Sequence, residues 1–306
     1  MFLSIKDQTM FLNGGLSDAG KQFFFRQPFS ERYILTIKTD ALAGSIPIKT
    51  VTEIRWDLRV LNVTEEGTEI ELITLDNELL ETNNPALKEL ARMNQLFARM
   101  YSELHVLIDR SGKVREILNE ELIRRKWASV KREMEEMENQ VAAVKGIILM
   151  NDELFTSPDK MKEAVQGNEF FGIYFNHVYG MRLPGESRTE GKWNLFQQAR
   201  VEWRYDVKPG VPLPAAPQVS SVEVDITGRL LTRLDKEWIN LAYGAFQNID
   251  LSGLKPRLTE LGKYRLDPHT GRLKEAYLLK EEVADPRFVF SKIEYFMKSQ
   301  EIWAQK

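Results

Sequence analysis

The sequence predicts an α+β protein whose main element is a long, curved, mainly antiparallel sheet with a central helical segment. Apolar and charged residues alternate over residues 54–60 and 201–207, and again over 222–226. Such strands bury one face and leave the other in water, which is typical of antiparallel sheets and not of doubly wound parallel ones. Asp/Gly turns between strands and two helical stretches between the strand blocks complete the prediction.

Four segments combine two apolar runs with a short polar turn between them. Asp bonds its own backbone in such turns and Gly supplies the positive φ angle, so each segment predicts a β-hairpin. They cover residues 63–69, 105–117, 222–230 and 264–275. Two further strands are expected over 272–280 and 288–297.

Helical spacing separates the two strand blocks. Asn84 caps a first helix that has Pro85 at its first position. A second helix begins after Asn119 and ends at Gly146, which makes it roughly 40 Å long. Its apolar residues recur in steps of four and three, the spacing of a helix that packs along its whole length: Ile123, Trp127, Val130, Met134, Met137, Val141 and Val144.

The segment after this helix is less regular. A short helix is expected from Ser157 to about Gln166, while residues 170–175 fit either a helix or a strand, and 180–192 read as a loop. We place a soft boundary within residues 147–190. Residues 1–150 then hold strands followed by a helical hairpin, and 151–306 hold short helices followed by strands. The alternative is a single domain with one continuous sheet.

Composition excludes several classes of function. The chain has 306 residues, 43% of them hydrophobic, and a net charge of -3, so no global field attracts nucleic acid. It has no cysteine and only three histidines, which removes thiolate chemistry and His-rich metal sites. We therefore expect no metal and no cofactor.

The N-terminus indicates no secretory leader, since it lacks a basic region ahead of its short apolar run. No stretch reaches the roughly 18 apolar residues of a membrane span. The expected location is cytoplasmic if Met1 is the native start, and outside the cytoplasm if a leader has been removed.

No catalytic residue is predicted, because the sequence contains no nucleophile elbow, phosphate-binding loop or zinc motif. His105 is expected to be a sheet residue and His269 a turn residue. His177 is the one histidine whose neighbours, Tyr179 and Glu186, suit a catalytic site.

Two features suggest binding. Phe23, Phe24, Phe25 and Phe29 form an aromatic segment that either contacts a partner or, as the simpler interpretation, belongs to the core. The apolar stripe of the second helix packs on a partner helix or, again more simply, on its own sheet. An apolar ligand between sheet and helix would lie near Trp127 and Met134.

Four prolines crowd the segment from Lys208 to Val219, which includes Pro212 and Pro214. Prolines fix φ and donate no hydrogen bond, so we expect an extended, ordered loop that projects from the sheet between two paired strands. Such a stiff loop is either a contact element for a partner or a spacer.

Long alternating strands, Asp/Gly hairpin turns and a helix in the curve of the sheet resemble two kinds of bacterial protein. These are the half-barrel carriers of lipoproteins and lipids, and uncharacterised β-rich proteins with the same order of elements. The resemblance rests on residues 32–118 and 202–297. It implies a curved half-barrel fold and transfers no functional residue.

The leading hypothesis is a non-enzymatic binding or structural protein, an adaptor that acts through surface contacts with a protein partner or with its own copies. Missing catalytic motifs, surplus aromatics and the patterned helix favour it. The first alternative is a carrier of an apolar, lipid-like ligand. The second is a hydrolase centred on His177, Tyr179 and Glu186.

Overall fold

The computed structural model describes residues 22–44, 46–137, 144–183, 187–210, 221–246 and 249–300. These residues form one open, curved antiparallel sheet of 11 strands, which confirms the predicted fold class. The strands are β1 Phe29–Ala43, β2 Ile46–Val63, β3 Thr68–Thr82, β4 Glu103–Ile108, β5 Val114–Ile117, β6 Ser187–Trp193, β7 Arg200–Pro209, β8 Val222–Leu230, β9 Arg257–Leu266, β10 Leu273–Asp285 and β11 Val289–Gln300.

The strand order explains why the helices lie in the middle of the sequence. Across the sheet the order is β5-β4-β3-β2-β1-β11-β10-β9-β8-β7-β6. The chain therefore builds one half of the sheet outward from β1, crosses to the far edge, and builds the other half back to β11. The halves join where β1 pairs with β11, with Leu35 opposite Met297. The division into residues 1–150 and 151–306 stays a prediction.

Buried and solvent-exposed residues alternate along the strands, as predicted. Trp56 and Leu58 on β2 are buried, whereas Arg55 and Arg59, which flank this pair, are exposed. Tyr205 on β7 is buried in the same way. One face of the sheet thus carries the core. The aromatic rings of Tyr33 and Trp56 on that face both pack against Phe170.

Six α-helices and a short 3-10 helix at Leu251–Gly253 are present among the described residues. Five of the α-helices lie between β3 and β6 in the sequence. The bounds are α1 Ala86–Ala98, α2 Glu120–Met137, α3 Val144–Leu154, α4 Pro158–Gln166, α5 Glu169–Tyr174 and α6 Lys236–Tyr243.

The predicted single helix from Asn119 to Gly146 is wrong. The indole Nε1 of Trp127 donates to Asp152 at 2.9 Å, and the Nζ of Lys131 lies 2.6 Å from the same carboxylate. Trp127 also stacks on Phe155, with ring centroids 5.8 Å apart. The C-terminal end of α3, at Asp152, thus contacts Trp127 and Lys131 in the middle of α2, so the two helices run antiparallel. Gly146, the predicted end of the single helix, lies inside α3. The apolar spacing predicted a long helix because it continues into α3.

Three of the four predicted hairpins are confirmed. The turns at residues 63–69, 105–117 and 264–275 connect β2 to β3, β4 to β5 and β9 to β10. The fourth, at 222–230, is wrong because β8 continues through Gly228. A Cβ at Gly228 would lie 3.0 Å from the Trp203 ring. This glycine therefore provides room for a neighbouring ring and not a turn.

Three other segments also differ from the sequence predictions or extend them. Residues 187–192 of the expected loop over 180–192 instead belong to edge strand β6, whose residues Ser187–Trp193 pair with β7. The ambiguous segment at 170–175 lies mainly in helix α5, capped by Asn168, whose side chain accepts from the amide of Phe170. Helix α6 was not predicted.

Candidate functional site

A cleft of about 580 Å³ lies between the core face of β1–β3 and helix α1, and α4 and α5 close its inner side. Trp56 and Ile54 on β2 form part of its floor, and Thr52 and Thr50 continue the same row outward. The row shares one face because side chains on a strand alternate with period two. Other lining residues are Ile37, Thr74, Asn77, Leu79, Leu87, Ala91, Asn94, Gln95, Phe97, Ala98, Tyr101, Ala164, Gly167, Asn168 and Glu169.

Two polar atoms of the lining residues are buried without a hydrogen-bond partner in the described part of the chain. They are the indole Nε1 of Trp56 and the hydroxyl of Tyr101. Trp56 is 1% exposed and packs edge-on against Phe170, with centroids 5.4 Å apart. Burial raises the pKa of Tyr101, so its hydroxyl keeps its proton. An unpaired buried donor costs about 1–3 kcal/mol, which makes both atoms candidates for a ligand contact.

The lining of the cleft carries almost no charge. Glu169 at its rim is the single ionisable acid among the lining residues, and no Lys, Arg or His belongs to the lining. The remaining polar lining groups are neutral hydroxyls and amides, which bind neutral partners without an ionic contribution.

A second cavity, of about 170 Å³, lies on the core face of the other half of the sheet, against α5. Its lining is much richer in charge. It comprises Gly172, Ile173, Asn176, His177, Glu190, Lys192, Tyr205, Ile226, Glu260, Leu261, Gly262, Leu278, Leu279 and Lys280.

Lys192, Tyr205 and Glu260 form a hydrogen-bonded group in this cavity. The Nζ of Lys192 lies 2.5 Å from the Glu260 carboxylate and also contacts the Tyr205 hydroxyl. That hydroxyl donates to Glu260 at 2.7 Å. Desolvation lowers the pKa of Lys192 despite the adjacent carboxylate, and burial raises the pKa of Tyr205. Each buried charge or donor here has a partner within the protein.

His177 stacks on Tyr205, with ring centroids 3.7 Å apart. Its Nε2 lies 3.5 Å from the Glu190 carboxylate. Burial, aided by the positive charges of Lys192, Arg188 and Lys280, lowers the pKa of His177 to about 3. The imidazole is therefore neutral at physiological pH.

The structure places His177 and Tyr179, two of the three residues of the hydrolase hypothesis, in different surroundings. Tyr179 lies in the central core, where its hydroxyl accepts a hydrogen bond from the amide of Phe25 at 2.8 Å. Glu186 lies outside the described residues. His177 instead meets Tyr205 and Glu190, which the sequence reasoning did not connect with it. His105 is a sheet residue that contacts Glu69 at 2.7 Å.

The aromatic segment takes its simpler interpretation. Phe23, Phe25 and Phe29 are buried in the core and Phe24 is partly buried against it, so they do not form an exposed surface. The β9–β10 turn covers this segment closely. Gly271 has a φ of +73°, and a Cβ there would lie 2.0 Å from the carbonyl oxygen of Phe24, so only glycine fits.

Of the remaining predicted binding residues, Trp127 and Met134 line neither cavity. Trp127 and Met134 are buried, and Trp127 packs against α3, so neither lines the cleft. Because both side chains are buried and line neither cavity, nothing in their packing supports an apolar ligand beside them. Pro212 and Pro214 lie outside the described residues. The predicted direct pairing of the flanking strands is confirmed, with Pro209 opposite Val224. His269 is exposed in the β9–β10 turn, as expected.

One sequence signal pointed to the second cavity and was missed. Inward positions of β10 are apolar at Ala276, Leu278 and Ala284, but Lys280 and Glu282 interrupt the row. Glu282 is fully buried and binds Asn194, the amide of Leu195 and the Tyr243 hydroxyl, a structural arrangement. Lys280 lines the cavity. A charged residue at an inward strand position is thus the informative departure from the pattern.

Comparison with known proteins assigns no family. No protein-family model and no curated protein matches the sequence. A lipovitellin structure described for its lipid–protein interactions resembles the fold weakly, with a TM-score of 0.38, 10% identity, and coverage of 90% of this chain but only 25% of that one. DynF, from the dynemicin biosynthesis pathway of Micromonospora chersina, gives a TM-score of 0.21 and 8% identity, with coverage of 90% of this chain and 82% of that one.

Among the described helices, none has the length and apolar character needed to cross a membrane.

Proposed function

We propose that the protein binds an uncharged amphipathic molecule in the cleft beneath α1 and acts as a carrier for it. The observation that supports this proposal is the pair of unpaired buried donors, Trp56 Nε1 and the Tyr101 hydroxyl, in one cleft. A ligand carbonyl beside Trp56 and Tyr101 would accept a hydrogen bond from these donors, for which the described part of the protein provides no acceptor.

The lining favours a molecule with one polar end and an apolar body. Ile54, Leu79 and Leu87 supply apolar contacts, and threonine and amide side chains are interspersed among them. The volume of about 580 Å³ lies in the range of small-molecule sites. Because no basic side chain lines the cleft and Glu169 is acidic, a neutral ester or amide fits better than a fatty-acid carboxylate.

Native mass spectrometry with 1-monolaurin tests the proposal, and laurate serves as the charged comparison. We expect one bound monolaurin per chain and weaker binding of laurate. Organic extraction of the freshly purified protein should release a neutral lipid-like molecule.

Two substitutions on α1 locate the site. Ala91 lines the cleft, so Ala91→Phe should fill it and weaken monolaurin binding roughly tenfold or more. Ala86 lies on the same helix, is exposed and does not line the cleft, so Ala86→Phe is the matched control. Absence of monolaurin binding, or equal binding by Ala91→Phe and the control, would contradict the proposal. Equal binding of laurate would contradict its charge argument.

The adaptor hypothesis stays a prediction. The two edge strands of the described sheet give little support for pairing with a partner strand. Strand β5 has only four residues, and β6 carries the charged residues Arg188, Glu190 and Lys192. Short or charged edge strands resist pairing with another chain. Light scattering on the purified protein measures its oligomeric state, and a strictly monomeric protein that captures no partner would count against this hypothesis.

A further inference from the structure

We propose that the cavity beside His177 is a second ligand site, independent of the cleft, and that it binds a short-chain aliphatic carboxylate whose charge is paired by Lys280. This cavity lies on the core face of β6–β10, and its walls are partly charged and partly apolar.

Lys280 provides the positive charge for such a ligand. It lines the cavity, and in the described part of the chain no carboxylate lies within ion-pair distance of its Nζ, which sits 5.4 Å from the centre of the Tyr295 ring. Lys280 is a partly buried residue whose ammonium group has no anion beside it, which makes it a favourable position for a carboxylate.

The two acidic residues of the cavity do not satisfy Lys280. Glu260 is its cross-strand neighbour, but the Glu260 carboxylate binds Lys192 and Tyr205. Glu190 lies beside the neutral His177, and its side chain is 48% exposed. Lys192 is therefore paired with the buried Glu260, whereas Lys280 has no carboxylate within ion-pair distance in the described part of the chain.

The rest of the lining suits a short alkyl chain. Ile173, Ile226 and Leu278 are apolar. Gly172 leaves space beside these residues, since a Cβ there would meet no atom within 4 Å. The volume of about 170 Å³ is roughly ten times the minimum that holds one water molecule, enough for a small organic molecule but not for a long chain.

Calorimetric titration of the full chain with isovalerate tests the site, and 3-methylbutan-1-ol is the neutral comparison. We expect saturable binding of isovalerate at one site and much weaker binding of the alcohol. Lys280→Met should weaken isovalerate binding roughly tenfold or more, since a charge-assisted contact is lost. Lys263→Met is the matched control, because Lys263 is exposed on β9 and does not line the cavity.

A steric variant tests the same site without changing its charge. Gly172→Leu should fill the cavity and abolish isovalerate binding, whereas Gly146→Leu, at an exposed helical glycine elsewhere with equally open surroundings, should not. Circular dichroism checks that each variant is folded. No saturable binding by the wild type, equal binding of the alcohol, or unchanged binding by folded Lys280→Met or Gly172→Leu would overturn the proposal. Monolaurin binding is measured separately, so failure here leaves the cleft unaffected.

Discussion

The two halves of the sheet bury different kinds of polar group on the same face. In the first half, the Trp56 indole and the Tyr101 hydroxyl are buried without partners beside a nearly uncharged cleft. In the second half, Lys192, Tyr205 and Glu260 pair with one another beside a smaller, charged cavity. One sheet thus carries two chemically different cavities, separated by the β1–β11 seam.

The difference follows from the free energy of burying each kind of group. A neutral donor without a partner costs about 1–3 kcal/mol, which a stable domain tolerates. A buried charge without a partner costs more, so the fold must provide one. Both halves bury an indole Nε1 that has no partner in the described part of the chain, Trp56 in the first half and Trp203 in the second, whereas the buried charges of Lys192 and Glu260 pair with each other.

The largest effect is expected for Glu260→Leu. This change leaves the buried Lys192 and Tyr205 without their shared acceptor, and we expect a loss of about 3 kcal/mol in the free energy of unfolding. Urea denaturation followed by circular dichroism measures it.

The double variant Glu260→Leu/Lys192→Met is the control for this effect. Removing both charges should restore much of the loss, because an apolar pair replaces an unpaired charge. A loss below about 1 kcal/mol in the single variant would show that the group is solvated, and the contrast between the halves would disappear.

A pH-dependent effect is expected from His177. Its folded-state pKa of about 3 lies below the ordinary value of 6.5. Between these values the unfolded chain binds the extra proton, so the unfolding free energy falls as the pH is lowered from 6.5 toward 3, by at most about 1.4 kcal/mol per pH unit. His177→Phe should make this decline shallower in denaturation measured across that range. The exposed His269 offers the control His269→Gln, and identical slopes in all three proteins would refute the assignment.

The smallest effect is expected for Tyr101→Phe. Its hydroxyl is buried without a partner, so its removal should raise the free energy of unfolding by about 1 kcal/mol while monolaurin binding weakens. The matched change Tyr205→Phe removes a paired hydroxyl and should cost about 1–2 kcal/mol. Equal losses in the two variants, compared by denaturation under the same conditions, would contradict the contrast between the halves.

Local pattern was sufficient for much of the fold. The alternation around Trp56, Tyr205 and Val224 predicted strands and also which side chains are buried, since period two fixes the face of each residue. The same reasoning failed at Gly228, where a neighbouring ring explains the glycine, and at Gly146, where an apolar spacing continued across a chain reversal. Both errors depend on contacts between distant segments, which no local pattern contains.

The sequence by itself determined an α+β chain of alternating strands, the Asp/Gly turns, and the absence of thiol chemistry. Only the tertiary structure decided where the cavities lie. The cleft combines Trp56 from β2 with Tyr101 after α1, and the second cavity combines Lys192, Glu260 and Lys280 from three strands. Strand order and register bring these side chains together, and both are set by the packing of the whole sheet against its helices.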